Sequence, residues 1–172
     1  MVATISPTQE QIYTALGNFI VSLTGAQVVQ GWANLVPAPQ GGYILMAVLS
    51  RRRLATNERI YIRPEDDDDT GQVLMKESVQ ITIQIDCFGE QSAEWAQILS
   101  TALRDEMACD ALQPLMQPLY ADEPRNTPIV NESQQYEQRW IVEAHFQINP
   151  VVGLEQEFFG TVGVEVTDAT TM

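Results

Sequence analysis

Positive charge is scarce in this chain: nine Lys and Arg stand against 23 Asp and Glu, for a formal net charge of −14 and a pI near 4.2. A duplex-DNA reader needs a clustered cationic surface to displace condensed counterions, so tight nucleic-acid binding is excluded as the main role. The same charge suits a wall along which DNA passes without sticking. Long apolar runs are also missing. No stretch approaches the roughly 18 residues of a membrane span, and the opening MVATISPTQE has neither the basic nor the apolar region of a signal peptide. The expectation is a cytoplasmic chain with no membrane partner.

Cysteine is limited to Cys87 and Cys109, with no C-x-x-C pair, which provides neither a zinc knuckle nor a disulfide framework. Both read as free thiols, Cys87 buried. Histidine occurs once, at His145, on the polar side of an alternating segment. A general acid or base needs a pocket and a partner, and the local spacing supplies neither. A Cys87–His145 nucleophile pair fails on phase, because the alternation puts Cys87 on the core side and His145 on the other. Gly-rich phosphate loops and the G-x-S-x-G elbow have no match. No residue is therefore assigned a catalytic, cofactor-binding or metal role, and the chain reads as a non-enzyme.

What is present is enough apolar residue, 45% of 172, to bury the core of one domain. Residues 6–24 read as a helix, with Ser6 as cap, Pro7 in the first turn, Gln9 closing a capping box, and Ile12, Leu16, Phe19, Ile20 and Leu23 on one face. Gly25 suits its left-handed C-cap. A strand is expected at Gln27–Gln30, then a Pro- and Gly-rich loop over 33–42, then a strand covered on both faces at Tyr43–Ser50. Val79, Ile81, Ile83, Ile85 and Cys87 alternate with polar residues, the period of a half-buried strand. A second helix is expected from about Ser92 to Ala108, with Trp95, Ile98, Leu99, Ala102, Leu103 and Met107 inward and Ser92 as cap.

Residues 110–133, with four prolines, read as irregular chain holding one short strand near Leu115–Tyr120. A long strand follows from Gln135 to Pro150, with Tyr136, Trp140, Val142, Ala144, Phe146 and Ile148 on the core side. Phe158, Phe159 and the weakly alternating Thr161–Val166 form a tail suited to pairing with a sheet edge or a neighbouring chain. The fold class expected is α+β, a mostly antiparallel sheet with two amphipathic helices on one face and a projecting loop or hairpin arm. One domain spans 1–172, the arm at about 51–76 and a C-terminal extension at about 151–172.

Two charged segments sit at that arm. Arg51-Arg52-Arg53 holds a third of the basic residues and reads either as a solvated strand end or as a partner for a neighbouring subunit's carboxylates. Asp66 to Asp69 repel one another and belong in solvent. Asp66, Asp68, Thr70, Gly71, Val73 and Glu77 also fall on positions 1, 3, 5, 6, 8 and 12 of an EF-hand loop. Pro64 before it and a strand pattern after it oppose that second reading, a small acidic calcium- or ligand-binding module.

The stretches Gln80-ITIQIDCFGEQSAEWAQILSTALRDE-Met107 and Pro118-LYADEPRNTPIVNESQQYEQRWIVEAHFQINP-Val151, with the opening helix and Pro37–Arg53, resemble the neck terminators of tailed bacteriophages, in the tail-terminator or tail-completion group. The resemblance implies a structural virion protein of the neck or tail, assembled in the bacterial host cytoplasm. It further implies a homo-oligomeric ring, commonly a hexamer, that caps the tail tube and joins it to the head-completion or connector protein. Partners would be copies of itself and the tube protein, with the sheath a further candidate. Genomic DNA would cross the lumen without specific binding.

Overall fold

The computed structural model describes residues 2–31, 39–64, 70–130 and 136–157. Its strands are β1 (Thr4–Ser6), β2 (Gln27–Gln30), β3 (Tyr43–Arg53), β4 (Glu58–Ile62), β5 (Thr70–Lys76), β6 (Val79–Phe88), β7 (Gln117–Ala121), β8 (Arg125–Asn126), β9 (Ile129–Val130), β10 (Tyr136–Glu137), β11 (Arg139–Ile148) and β12 (Val151–Glu157). Its helices are α1 (Gln9–Thr24), α2 (Ser92–Ala102) and α3 (Glu106–Leu112).

The main sheet runs β2-β3-β6-β11-β7, with β8 also pairing β11. Every pair in it is antiparallel except β2 with β3. Period-2 alternation sorts its residues into two faces. Ile44 and Met46 on β3, Ile81, Ile83, Ile85 and Cys87 on β6, and Val142, Ala144, Phe146 and Ile148 on β11 are all at most 2% exposed. Against them pack Ile12, Leu16, Phe19 and Ile20 of α1, Trp95 and Leu99 of α2, and Leu112 of α3. Each such large side chain contributes about 1.5–3 kcal/mol when taken from water. Fold class and core face agree with expectation; the helices number three among the described residues.

Several elements differ in detail. Thr8, not Ser6, caps α1: its Oγ1 accepts from Gln11 N–H while the Gln11 side chain accepts from Thr8 N–H. Ser6 is occupied in β1, opposite Val151. Gly25 ends α1 at φ 65°, as its lack of a Cβ allows. The second helix breaks after Ala102. Asp105 then accepts from Met107 N–H and caps α3, so Met107 and Ile98 come out 46% and 42% exposed rather than inward. Ser92 does not cap; Gln91 stands at that position, and the buried Ser92 hydroxyl has no hydrogen bond among the described residues.

A bulge at Val48–Ser50 shifts β3 by one residue against β6. Tyr43, Ile44, Met46 and Ala47 are buried, but Leu49 and Ser50 are exposed and the helices cover one face only, so the expected cover on both faces is not found. Tyr136 is 82% exposed, because a break at Gln138 detaches β10 from β11 and pairs it with β9.

The segment from 51 to 76 contains strands. β3 continues through Arg53, and β4 and β5 form an antiparallel pair in a second sheet ordered β1-β12-β5-β4. β12, at the start of the expected C-terminal extension, pairs β5 over seven residues and holds β1 on its other side. β3 thus leads into β4, β5 into β6, and β11 into β12, each joining the two sheets. Leu54 N–H donates to Ser78 O at 2.8 Å and Glu77 N–H to Pro150 O at 3.0 Å where the sheets meet. Asp66–Asp69, the loop over 33–38 and the Phe158–Val166 tail lie outside the described residues. No helix among the described residues is long and apolar enough to cross a membrane.

Candidate functional site: the open face of the sheet

With the helices on one face, the second face of β3, β6 and β11 carries cross-strand rows of polar and aromatic residues. The first row is Tyr43, Phe88 and Arg139. Tyr43 stacks on Phe88 with centroids 4.6 Å apart, and the Arg139 guanidinium lies 5.7 Å over the Phe88 ring, a cation–π contact. Burial, with the negative charges of Glu137 and Asp86 adding to it, raises the Tyr43 hydroxyl above its ordinary pKa.

The next row holds a buried ion pair. Asp86 is 2% exposed, although its place on the polar side of β6 predicts a wet residue. Its Oδ1 accepts from Arg139 Nε at 3.1 Å and Nη2 at 3.0 Å, and Gln84 Nε2 donates to both carboxylate oxygens at 2.9 and 2.8 Å. Only the lateral neighbours supplied by tertiary folding complete this satisfaction of a buried charge.

Farther along, His145 stacks on Tyr120 of β7 at 4.1 Å, and its Nδ1 lies 3.1 Å from both Gln80 Nε2 and Thr82 Oγ1. Its Nε2 faces Asp122 Oδ2 at 3.8 Å. Glu143 pairs with Arg125 of β8. The expected solvent-facing histidine therefore sits on the expected face, but its side chain is only 12% exposed. Tyr120 comes from the short strand expected near Leu115–Tyr120, which is β7, whereas Asp122 comes from chain read as irregular and had no local signal in the sequence.

Cys87 lies on the opposite, core face at 0% exposure, so no Cys–His pair exists. Desolvation, with the adjacent Asp86 charge, pushes its thiol up to about 12. Arg51, Arg52 and Arg53 are exposed at the end of β3; Arg51 donates from Nη2 to Gln9 Oε1. The EF-hand reading fails on backbone: Gly71 and Val73 stand in β5, opposite Gln156 and Leu154, in an extended ladder that cannot curl around an ion.

A helix-backed sheet with an open, laterally bonded polar face, continued into a second small sheet, defines an α+β domain of surfaces. The model of the phage neck terminator protein family matches residues 10–170, most of the chain. The chain belongs to that family, and it is a structural protein of the phage tail and neck. No curated protein matches it.

Proposed function

We propose that this single domain of 172 residues is one identical brick of a closed ring, a hexamer as the family resemblance implies, that caps the tail tube and joins it to the head connector. The observation that carries the proposal is the family match over residues 10–170. A cyclic ring needs two unlike patches on each subunit, one meeting the other around the circle. Two unlike surfaces are available. β4 is the edge of the second sheet, with Ile60, Tyr61 and Ile62 exposed by 42, 55 and 45%, and an edge strand presents unpaired backbone groups to another chain. The Arg51–Arg53 row and the open face offer charge instead.

In this role the chain works by shape, with no bond made or broken. The tube protein and the head-completion protein are its partners in the virion, joined by the sheath where the tail has one, after assembly in the host cytoplasm. The net charge of −14 favours passage of DNA through an acidic lumen that repels phosphate. The test is sedimentation of the purified chain at micromolar concentration, with and without tube protein, followed by electron microscopy of tube ends. A ring, or a monomer that closes into one on tube tips, is expected; a stable monomer indifferent to tubes overturns the proposal. Tyr61→Asp with Ile60→Asp places two charges on the β4 edge and should abolish ring closure while leaving the helix-side core intact.

A further inference from the structure

We infer that Asp122, Glu143 and His145 form a binding site for a divalent transition ion of the zinc class on the open face of the sheet. One ligand atom from each residue lies within 4.8 Å of the other two. Two ligands each about 2.0–2.2 Å from a common zinc ion can stand no more than about 4.4 Å apart. The 3.8 Å between His145 Nε2 and Asp122 Oδ2 already satisfies that limit, and the third ligand needs only a small side-chain adjustment.

The supporting shell is in place. Tyr120 stacks on the imidazole and fixes its plane. Thr82 Oγ1, 3.1 Å from Nδ1, can accept the proton that Nδ1 keeps when Nε2 takes the ion, with the Gln80 amide turning its oxygen to the ring. A hydrogen bond on the far ring nitrogen is the arrangement that orients metal-bound histidines. Asp122 is fixed by its backbone at both ends: its N–H donates to Glu143 O at 2.8 Å, and its carbonyl accepts from the buried Ser100 hydroxyl at 3.1 Å. Arg125 bonds Glu143 Oε1, and a carboxylate has room for both a guanidinium and an ion. One imidazole and two carboxylates suit zinc, cobalt or manganese, and the nitrogen ligand disfavours calcium. The Asp122 side chain is 46% exposed, so remaining coordination positions open to water or to a neighbouring molecule.

The experiment titrates zinc chloride, and in parallel calcium chloride, into EDTA-stripped, untagged full-length protein by calorimetry at pH 7.5. Saturable binding of a single zinc ion per chain is expected, with no heat from calcium. His145→Gln and Asp122→Asn should each weaken zinc binding by about tenfold or more, with unchanged far-UV circular dichroism as the check on folding. Arg125→Gln should tighten binding, because it removes a competing cation from Glu143. Cobalt(II) should give visible absorption that His145→Gln abolishes. Absence of saturable zinc binding, or binding untouched by both His145→Gln and Asp122→Asn, overturns the site. None of these readouts requires ring formation.

Discussion

Replacing Arg139 by Met should destabilise this protein more than replacing its partner Asp86 by Asn, although both changes break the same ion pair. The Asp86 side chain is 3% exposed and that of Arg139 22% exposed. Met keeps most of the aliphatic stem but removes the guanidinium from over Phe88 and strands a buried carboxylate with only the Gln84 amide to meet it. Removing one partner of a buried pair costs about 3–5 kcal/mol; the partial exposure of Arg139 lowers this to about 2–4. Asn at 86 removes the charge yet still accepts from Arg139, whose guanidinium can reach water, so about 1–2 kcal/mol is expected. In the double variant no charge is stranded. It should therefore recover about 1–3 kcal/mol of the Arg139→Met loss, a coupling in the range that contacting residues show. Equilibrium urea unfolding at pH 7, with protein concentration held fixed and m-values compared, measures all four corners of the cycle. Strict additivity, or an Arg139→Met variant within about 1 kcal/mol of the parent, would refute the claim that Asp86 depends on Arg139.

Thr8→Ala should cost about 1 kcal/mol by removing the α1 cap while Ser6→Ala leaves that cap untouched, and thermal unfolding of the two variants separates the residues. Phe146→Ala, at a fully buried position between β6 and the helices, should cost about 3–5 kcal/mol in the same denaturation assay. At pH 8 a thiol reagent should label Cys109 and spare Cys87 until the chain unfolds, since one is partly exposed and the other buried and protonated. Because folding raises the Cys87 thiol above its ordinary range, its contribution to stability is complete below about pH 8.5 and is lost as pH rises toward 12. Rapid labelling of both thiols in the native protein would contradict the core placement.

Much of the fold is local in origin and was legible accordingly. Alternation from Val79 to Cys87 and from Trp140 to Ile148 sets which side of each strand enters the core, and the structure buries those sides. The spacing of Ile12, Leu16, Phe19 and Ile20 likewise commits α1 to one buried face, and Gly25 ends it. Composition alone denied the chain a cationic DNA-binding surface. The segments Gln80–Met107 and Pro118–Val151 carried the family resemblance, and the match over residues 10–170 bears it out.

Tertiary structure decided what depends on lateral neighbours. Two polar side chains at alternate positions look alike in sequence, but Asp86 is sealed by Arg139 from the adjacent strand while Gln80 stays partly open. Asp122, Glu143 and His145 converge because β7 pairs with β11 in the register that sets Tyr120 opposite His145 and Ala121 opposite Ala144, which no periodicity encodes. The second sheet depends on the same kind of contact: β1, β5 and β12 are distant in sequence, and β5 and β12 pair where β6 and β11, to which they are joined, lie side by side. Periodicity assigns a residue to a face, whereas burial, charge pairing and convergence are set by which strand lies alongside, and that follows from long-range packing.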